Sequence, residues 1–174
     1  MDVKLFHELI TNNEQTTMFG YALIRDTLLS DLMGDNTSIL YWSGKKLARE
    51  FFLATEDDLP LFFQHANWGH LQKIKSDKKQ QLYKLDGPII KQRLTNNLKA
   101  DFLLEAGFIA ETIQNQNGFI AETIVKDVDK RKHTITFLNQ LDQNDKIDPS
   151  LIPEQDPLHL TDFIQETAAT NEAK

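Results

Sequence analysis

The chain has 174 residues, 40% of them apolar and 11 of them phenylalanine, with no cysteine and a formal net charge of −7. That length and apolar share suit one domain with a real core and exclude a disordered chain. The missing cysteine removes disulfides, thiolate nucleophiles and thiolate metal sites, and no apolar run reaches the roughly 18 residues that span a bilayer.

Val3, Phe6, Leu9 and Ile10 fall at helical spacing, so residues 2–11 are expected to form a short helix. From Met18 to Met33 the apolar positions Tyr21, Ile24 or Leu28, and Leu32 repeat every three to four residues, and Gly34 supplies a helix stop. Asp35 to Ser38 is rich in capping oxygens and opens a helix over about 38–53. Its stripe is Leu40, Gly44, Leu47 and Phe51, with Lys45, Lys46 and Arg49 turned away. Thr55-Glu56-Asp57-Asp58 reads as a capping box before a helix that ends at Asn67-Trp68-Gly69. A hairpin follows over about 70–86. Gly87-Pro88 breaks regularity, and residues 89–97 read as strand or loop. A helix over about 98–115 carries Phe102, Ala106, Ile109, Ala110 and Ile113 on one side, and two strands are expected at about 119–127 and 132–138. From Gln140 the chain is polar, acidic and proline-punctuated. Leu158, Leu160, Phe163 and Ile164 could dock there on a groove or stay loose.

One seven-residue word occurs twice, as Gly107-Phe108-Ile109-Ala110-Glu111-Thr112-Ile113 and again from Gly118 to Ile124. The first copy lies in a helix-period segment. The second starts at an Asn-Gly turn and runs toward β-branched residues, so it is expected as strand. Two copies eleven residues apart do not make a solenoid.

Charge is unevenly spread: −5 over residues 1–72, +6 over 73–99, −2 over 100–141 and −6 over 142–174. The basic stretch reads as a hairpin showing solvated lysines, or as a dock for the acidic C-terminal segment or another anionic partner. Nucleic acid is not the expected partner, because residues 70–99 interleave only Tyr83 among their lysines. Gly44-Lys45 lacks the rest of a phosphate loop. His65 and His70 are separated by a Trp-Gly break and have no third ligand, so no metal site is expected. Glu105 and Glu111, six apart on a helix, fall on different faces and make a poor carboxylate pair.

Phe19-Gly20-Tyr21, Leu40 through Arg49, Ala66-Asn67-Trp68-Gly69, Leu104 through Glu111 and Lys130-Arg131-Lys132 together resemble the YslB-like family, uncharacterised single-domain proteins of Gram-positive bacteria. The resemblance covers about residues 18–140. More distantly, the pattern is similar to the ligand-binding fold of NO signalling and Golgi transport, which includes vinyl-reductase-type domains, haem NO-binding domains and TRAPP vesicle-tethering subunits. That resemblance implies helices on one face of an antiparallel sheet, frequent dimerisation, and often a buried apolar pocket. It supplies no haem histidine here and no acylated cysteine.

The resulting expectation is an α+β domain over 18–140, with a four-stranded antiparallel sheet of two hairpins covered by helices on one face. An N-terminal extension (1–17) and an acidic, partly flexible tail (141–174) flank it. Tyr41, Trp42, Phe51, Phe62 and Trp68 are the candidates to line an apolar pocket, with core packing as the alternative. Lys45 and Arg49, four apart, could grip an anion or pair with Glu50. Gly44, Ala106, Gly107 and Ala110 mark close helix packing, within the fold or across a dimer. No catalytic residue, cofactor or metal is expected. The function expected is a non-enzymatic cytoplasmic module, homodimeric, taking a small hydrophobic ligand or a protein partner. The alternatives are an enzyme acting on a small apolar molecule, and an adaptor at an anionic surface through residues 73–99. The first residues lack the basic-then-apolar pattern of a secretory signal.

Overall fold

The hydroxyl of Thr17 accepts a hydrogen bond from the Gly20 amide at 3.1 Å and starts the first helix. In the computed structural model, which describes Leu9 and residues 17–97 and 100–161, this helix, α1, is a composite. α-Helical Met18–Ala22 passes through a π-helical stretch, Leu23–Leu28, into α-helical Leu29–Met33. α2 (Ser38–Glu50) and α3 (Asp58–His65) follow, then β1 (His70–Ser76) and β2 (Gln80–Asp86). α4 (Pro88–Asn96) and α5 (Leu103–Asn117) precede β3 (Phe119–Asp129) and β4 (Thr134–Lys146). The helix expected over 2–11 lies outside the described residues apart from Leu9, as do Phe163 and Ile164.

The four strands form one antiparallel sheet in the order β1-β2-β4-β3, so the two hairpins meet at β2 and β4. Leu71, Leu85 and Ile135 make one inward row across three strands, and Tyr83 and Phe137 pair in the next. α5 covers this face and is buried from Leu104 to Asn115. Its small residues Ala106 and Ala110 are fully enclosed. The two copies of the seven-residue word sit in different structures, as their contexts imply: the first lies in α5, the second begins at Gly118 with φ 73° and becomes β3. A left-handed residue there turns helix into strand at no steric cost for glycine.

Two local expectations need correction. Residues 89–97 are neither strand nor loop but α4. Gly87 at φ 115° reverses the chain, Pro88 pre-sets the first helical turn, and Ile89, Ile90, Arg93 and Leu94 are buried at helical spacing. β4 runs eight residues past the expected end at 138. Its polar half passes as strand because Asn139 is paired inside: the Thr123 hydroxyl donates to Asn139 Oδ1 at 2.9 Å. Beyond Lys146 the chain folds back over the body. Leu158 lies parallel to Leu53, its amide donating to Phe52 and its carbonyl accepting from Ala54, and Leu158 and Leu160 are buried. The Asp58 carboxylate secures the end of this strap by accepting from the Thr161 amide at 3.1 Å. It also accepts from the Thr55 amide and hydroxyl at 2.8 and 2.7 Å.

Candidate functional site

Everything of chemical interest in this fold gathers around α5 and the two helices laid against it. α2 crosses α5 at a pair of glycines. A Cβ on Gly44 would overlap the Leu104 carbonyl oxygen and lie 2.8 Å from Phe108 N, and one on Gly107 would overlap the Tyr41 carbonyl oxygen. The helices touch backbone to backbone, which only glycine permits.

Glu111 is on the α2 side of α5 and almost fully buried, with Lys45 Nζ at 3.3 Å and the Arg49 guanidinium paired to it. Lys45 also reaches Glu122 at 3.2 Å and the Ala121 carbonyl at 3.4 Å, on edge strand β3. Tyr41 donates its hydroxyl to Glu122 and accepts from the Thr123 amide at 3.2 Å, so α2 side chains cap part of the sheet edge. Burial, then the bond to Glu122, holds the Tyr41 phenol above its ordinary value. Lys45 is therefore not turned away from the fold, as the α2 periodicity implies, but is only 4% exposed. The apolar stripe of α2 is interrupted by one paired cation that sequence spacing does not reveal.

Glu105, on another face of α5, anchors a second ionic cluster. Arg93 Nη1 lies 3.0 Å from it and Arg25 Nη2 3.1 Å. Arg93 also binds Asp26 through Nε at 3.0 and 3.2 Å, and Arg25 reaches Asp101 at 3.4 Å. Burial opposes the charge on each guanidinium, but the Glu105 carboxylate overrules it, and both sit above their ordinary value. Arg25 and Asp26 belong to the π-helical stretch of α1. This cluster ties α1 to α4 and α5, and no sequence motif announced it.

The charged face of α1 is thus its inner face. Phe19, Leu23, Ile24, Leu28 and Leu32 point outward, with exposures of 75, 50, 57, 51 and 73%. The steps from Phe19 to Leu23, Leu28 and Leu32 are four, five and four residues; the five-residue step falls in the π turn, whose wider period keeps the stripe on one side. The periodicity of α1 correctly marks a helix. Its inner face is mixed, with Tyr21 and Met33 against the core beside the paired Arg25 and Asp26.

The aromatic candidates divide into two groups. Phe62 stacks on Phe108 at 4.3 Å between centroids, and Trp68 meets Phe62, Phe63 and Phe108 edge-on at 5.8, 5.2 and 5.4 Å. Phe51 lies against Phe62 at 5.5 Å. Trp42 is elsewhere, 63% exposed and edge-on to Tyr41. Lys73 of the basic hairpin pairs with Glu56, and Lys84 with Asp86 at 2.7 Å. Among the described residues, no helix is long and apolar enough to cross a membrane.

Residues 18–140 match the model of a family described as proteins of unknown function, DUF2507. The chain belongs to this family. The DUF2507 chain is also 39% identical over 145 residues to the uncharacterized protein YslB of Bacillus subtilis (strain 168), an alignment covering 82% of the chain and 97% of YslB. Among solved structures, a vinyl-4-reductase family protein from Methanocaldococcus jannaschii superposes with a TM-score of 0.60 at 17% identity, over 79% of this chain and 88% of that one. At that identity the likeness shows a shared fold for DUF2507, and nothing about activity.

Proposed function

We propose that this protein is a non-enzymatic, cytoplasmic interaction module that works as a homodimer joined through the outer face of α1. The observation that carries the reading is the exposed stripe Phe19, Leu23, Ile24, Leu28 and Leu32. A contiguous apolar face on a helix marks an interaction surface. The engagement of Lys45, Arg25 and Arg93 in internal ion pairs supports a structural use of the charged groups.

Magnitude favours a second copy as the occupant. The five exposures amount to about three whole side chains, and at roughly 1.5–3 kcal/mol each two copies hold about 9–18 kcal/mol of unrealised burial. Association costs about 4–15 kcal/mol, so covering both stripes supplies free energy on the scale that pairing demands. An antiparallel pairing about the Leu23–Leu28 centre brings Phe19 of one copy to Leu32 of the other and keeps the two Asp31 side chains apart.

Sedimentation velocity of the full chain at tens of micromolar tests this. The wild type is expected as a dimer, and Leu28→Glu and Leu32→Glu as monomers with unchanged circular dichroism. A wild type that stays monomeric, or variants that stay dimeric, would overturn the reading.

A further inference from the structure

We propose that α1 is a releasable arm: it opens from the body as one unit, hinged at Gly34, while the sheet and the other helices stay folded. The inner face of α1 carries the argument. Along Met18–Met33 the only buried side chain is Arg25. Tyr21 and Met33 are half-buried against the core, and the outer stripe already faces solvent. Opening therefore gives up little apolar burial on α1 itself beyond Tyr21 and Met33, and apolar burial is the main cost of detaching an element. α5 is the contrast, with every residue from Leu104 to Asn115 buried.

Ion pairs hold α1 down where apolar contact does not, and water can replace what they supply. Arg25 meets Glu105 at 3.1 Å and Asp101 at 3.4 Å, and Asp26 meets Arg93 at 2.9 Å. Buried ion pairs contribute little net free energy, because each partner gave up its hydration to form them. Release restores that hydration to Arg25 and Asp26. It removes one cation and one anion together, and Glu105 keeps Arg93 Nη1 at 3.0 Å inside the body. Two more atoms of α1, Tyr21 Oη and Arg25 Nε, are buried without a hydrogen-bond partner among the described residues. An unpaired buried polar atom favours the state in which water reaches it. The hinge is marked as well: Gly34 ends α1 at φ 55° and ψ −127°, a conformation that glycine adopts readily. Because the stripe lies on this arm, pairing of two copies would hold α1 docked. That last step rests on the dimer reading; the opening itself does not.

The test is amide hydrogen exchange of the full chain, at sub-micromolar and at tens-of-micromolar protein. In the dilute sample the amides from Leu23 to Met33 should share one opening, with protection at least about a hundredfold below that of Ala106 to Ile113. Slow exchange should resume at Leu40, beyond the hinge. Ile135→Val removes a methylene from the sheet core, where Ile135 is fully buried. It destabilises the closed and the opened protein alike, so it should lower the protection of α5 several-fold and leave that of α1 unchanged. Protection of α1 equal to that of α5, a fall of both together in Ile135→Val, or fast exchange running on through α2 would each overturn the proposal. In the concentrated sample pairing should slow α1 exchange. Fast α1 exchange at both concentrations would support the arm and overturn the dimer link alone.

Discussion

Gly107→Ala tests the backbone contact between α2 and α5 by the sign of its effect. In a helix interior with room to spare, alanine for glycine stabilises by about 1 kcal/mol. At Gly107 the new methyl would overlap the Tyr41 carbonyl oxygen and lie 2.8 Å from its carbon, both backbone atoms that cannot swing aside. Contacts involving carbon settle near 3.5 Å, so the helices would have to part by about 1 Å. Overpacking of this kind costs about 1–3 kcal/mol. A rigid backbone neighbour puts this case at the upper end, for a net loss of about 2 kcal/mol after the helix preference is subtracted. For a chain of this length that corresponds to a fall in Tm of about 4–8 °C. Gly44→Ala should behave alike. The double variant should lose less than the two combined, because both methyls open the same gap. Calorimetry or urea denaturation provides the measurement. An unchanged or raised Tm for Gly107→Ala would refute the close-contact account.

The two ionic clusters should respond unequally: Arg93→Met, which strands Asp26 and leaves the buried Glu105 with Arg25 alone, is expected to cost about 3–5 kcal/mol. Arg49→Met, at a side chain 47% exposed, should cost under about 1 kcal/mol, and urea midpoints would compare them. Tyr21, Tyr41 and Tyr83 are all held above the ordinary phenol value, chiefly by burial. A raised folded value contributes stability that is complete below the unfolded value of about 10 and is lost as pH climbs past it. Tyrosinate absorbance should therefore appear only together with unfolding, and a tyrosinate signal in a protein with native circular dichroism would contradict this. Leu158→Ala should cost about 2–5 kcal/mol, and the Ala54 and Leu158 amides should exchange slowly with solvent. Rapid exchange at both would show that the strap does not hold.

The architecture was legible in the sequence where local signals and long-range packing agree. The Asn-Gly turn at 117–118 announces the switch from α5 to β3, and Gly34 announces the end of α1. Legibility failed where a distant partner decides. Nothing near Lys45 says that Glu111 and Glu122 will neutralise it, so periodicity assigns it to solvent. Nothing near Leu28 says that Arg25 rather than the leucines will face inward, because that choice is made by Glu105, eighty residues away. α4 was missed because its inward face includes an arginine, Arg93, that breaks the apolar pattern of Ile89, Ile90 and Leu94. The second half of β4 was missed because Asn139 and its neighbours look like loop residues until Thr123 and β2 are beside them.

The match to the family model stops at residue 140, yet the hydrogen-bonded ladder of β4 runs on to Lys146 and the chain then laces itself to the α2–α3 connection through Leu158. A fragment trimmed at Gln140 would lose the last rungs of its sheet and bare Leu53, which the intact protein leaves 1% exposed. The residues that close the sheet and cover Leu53 therefore reach past the family match.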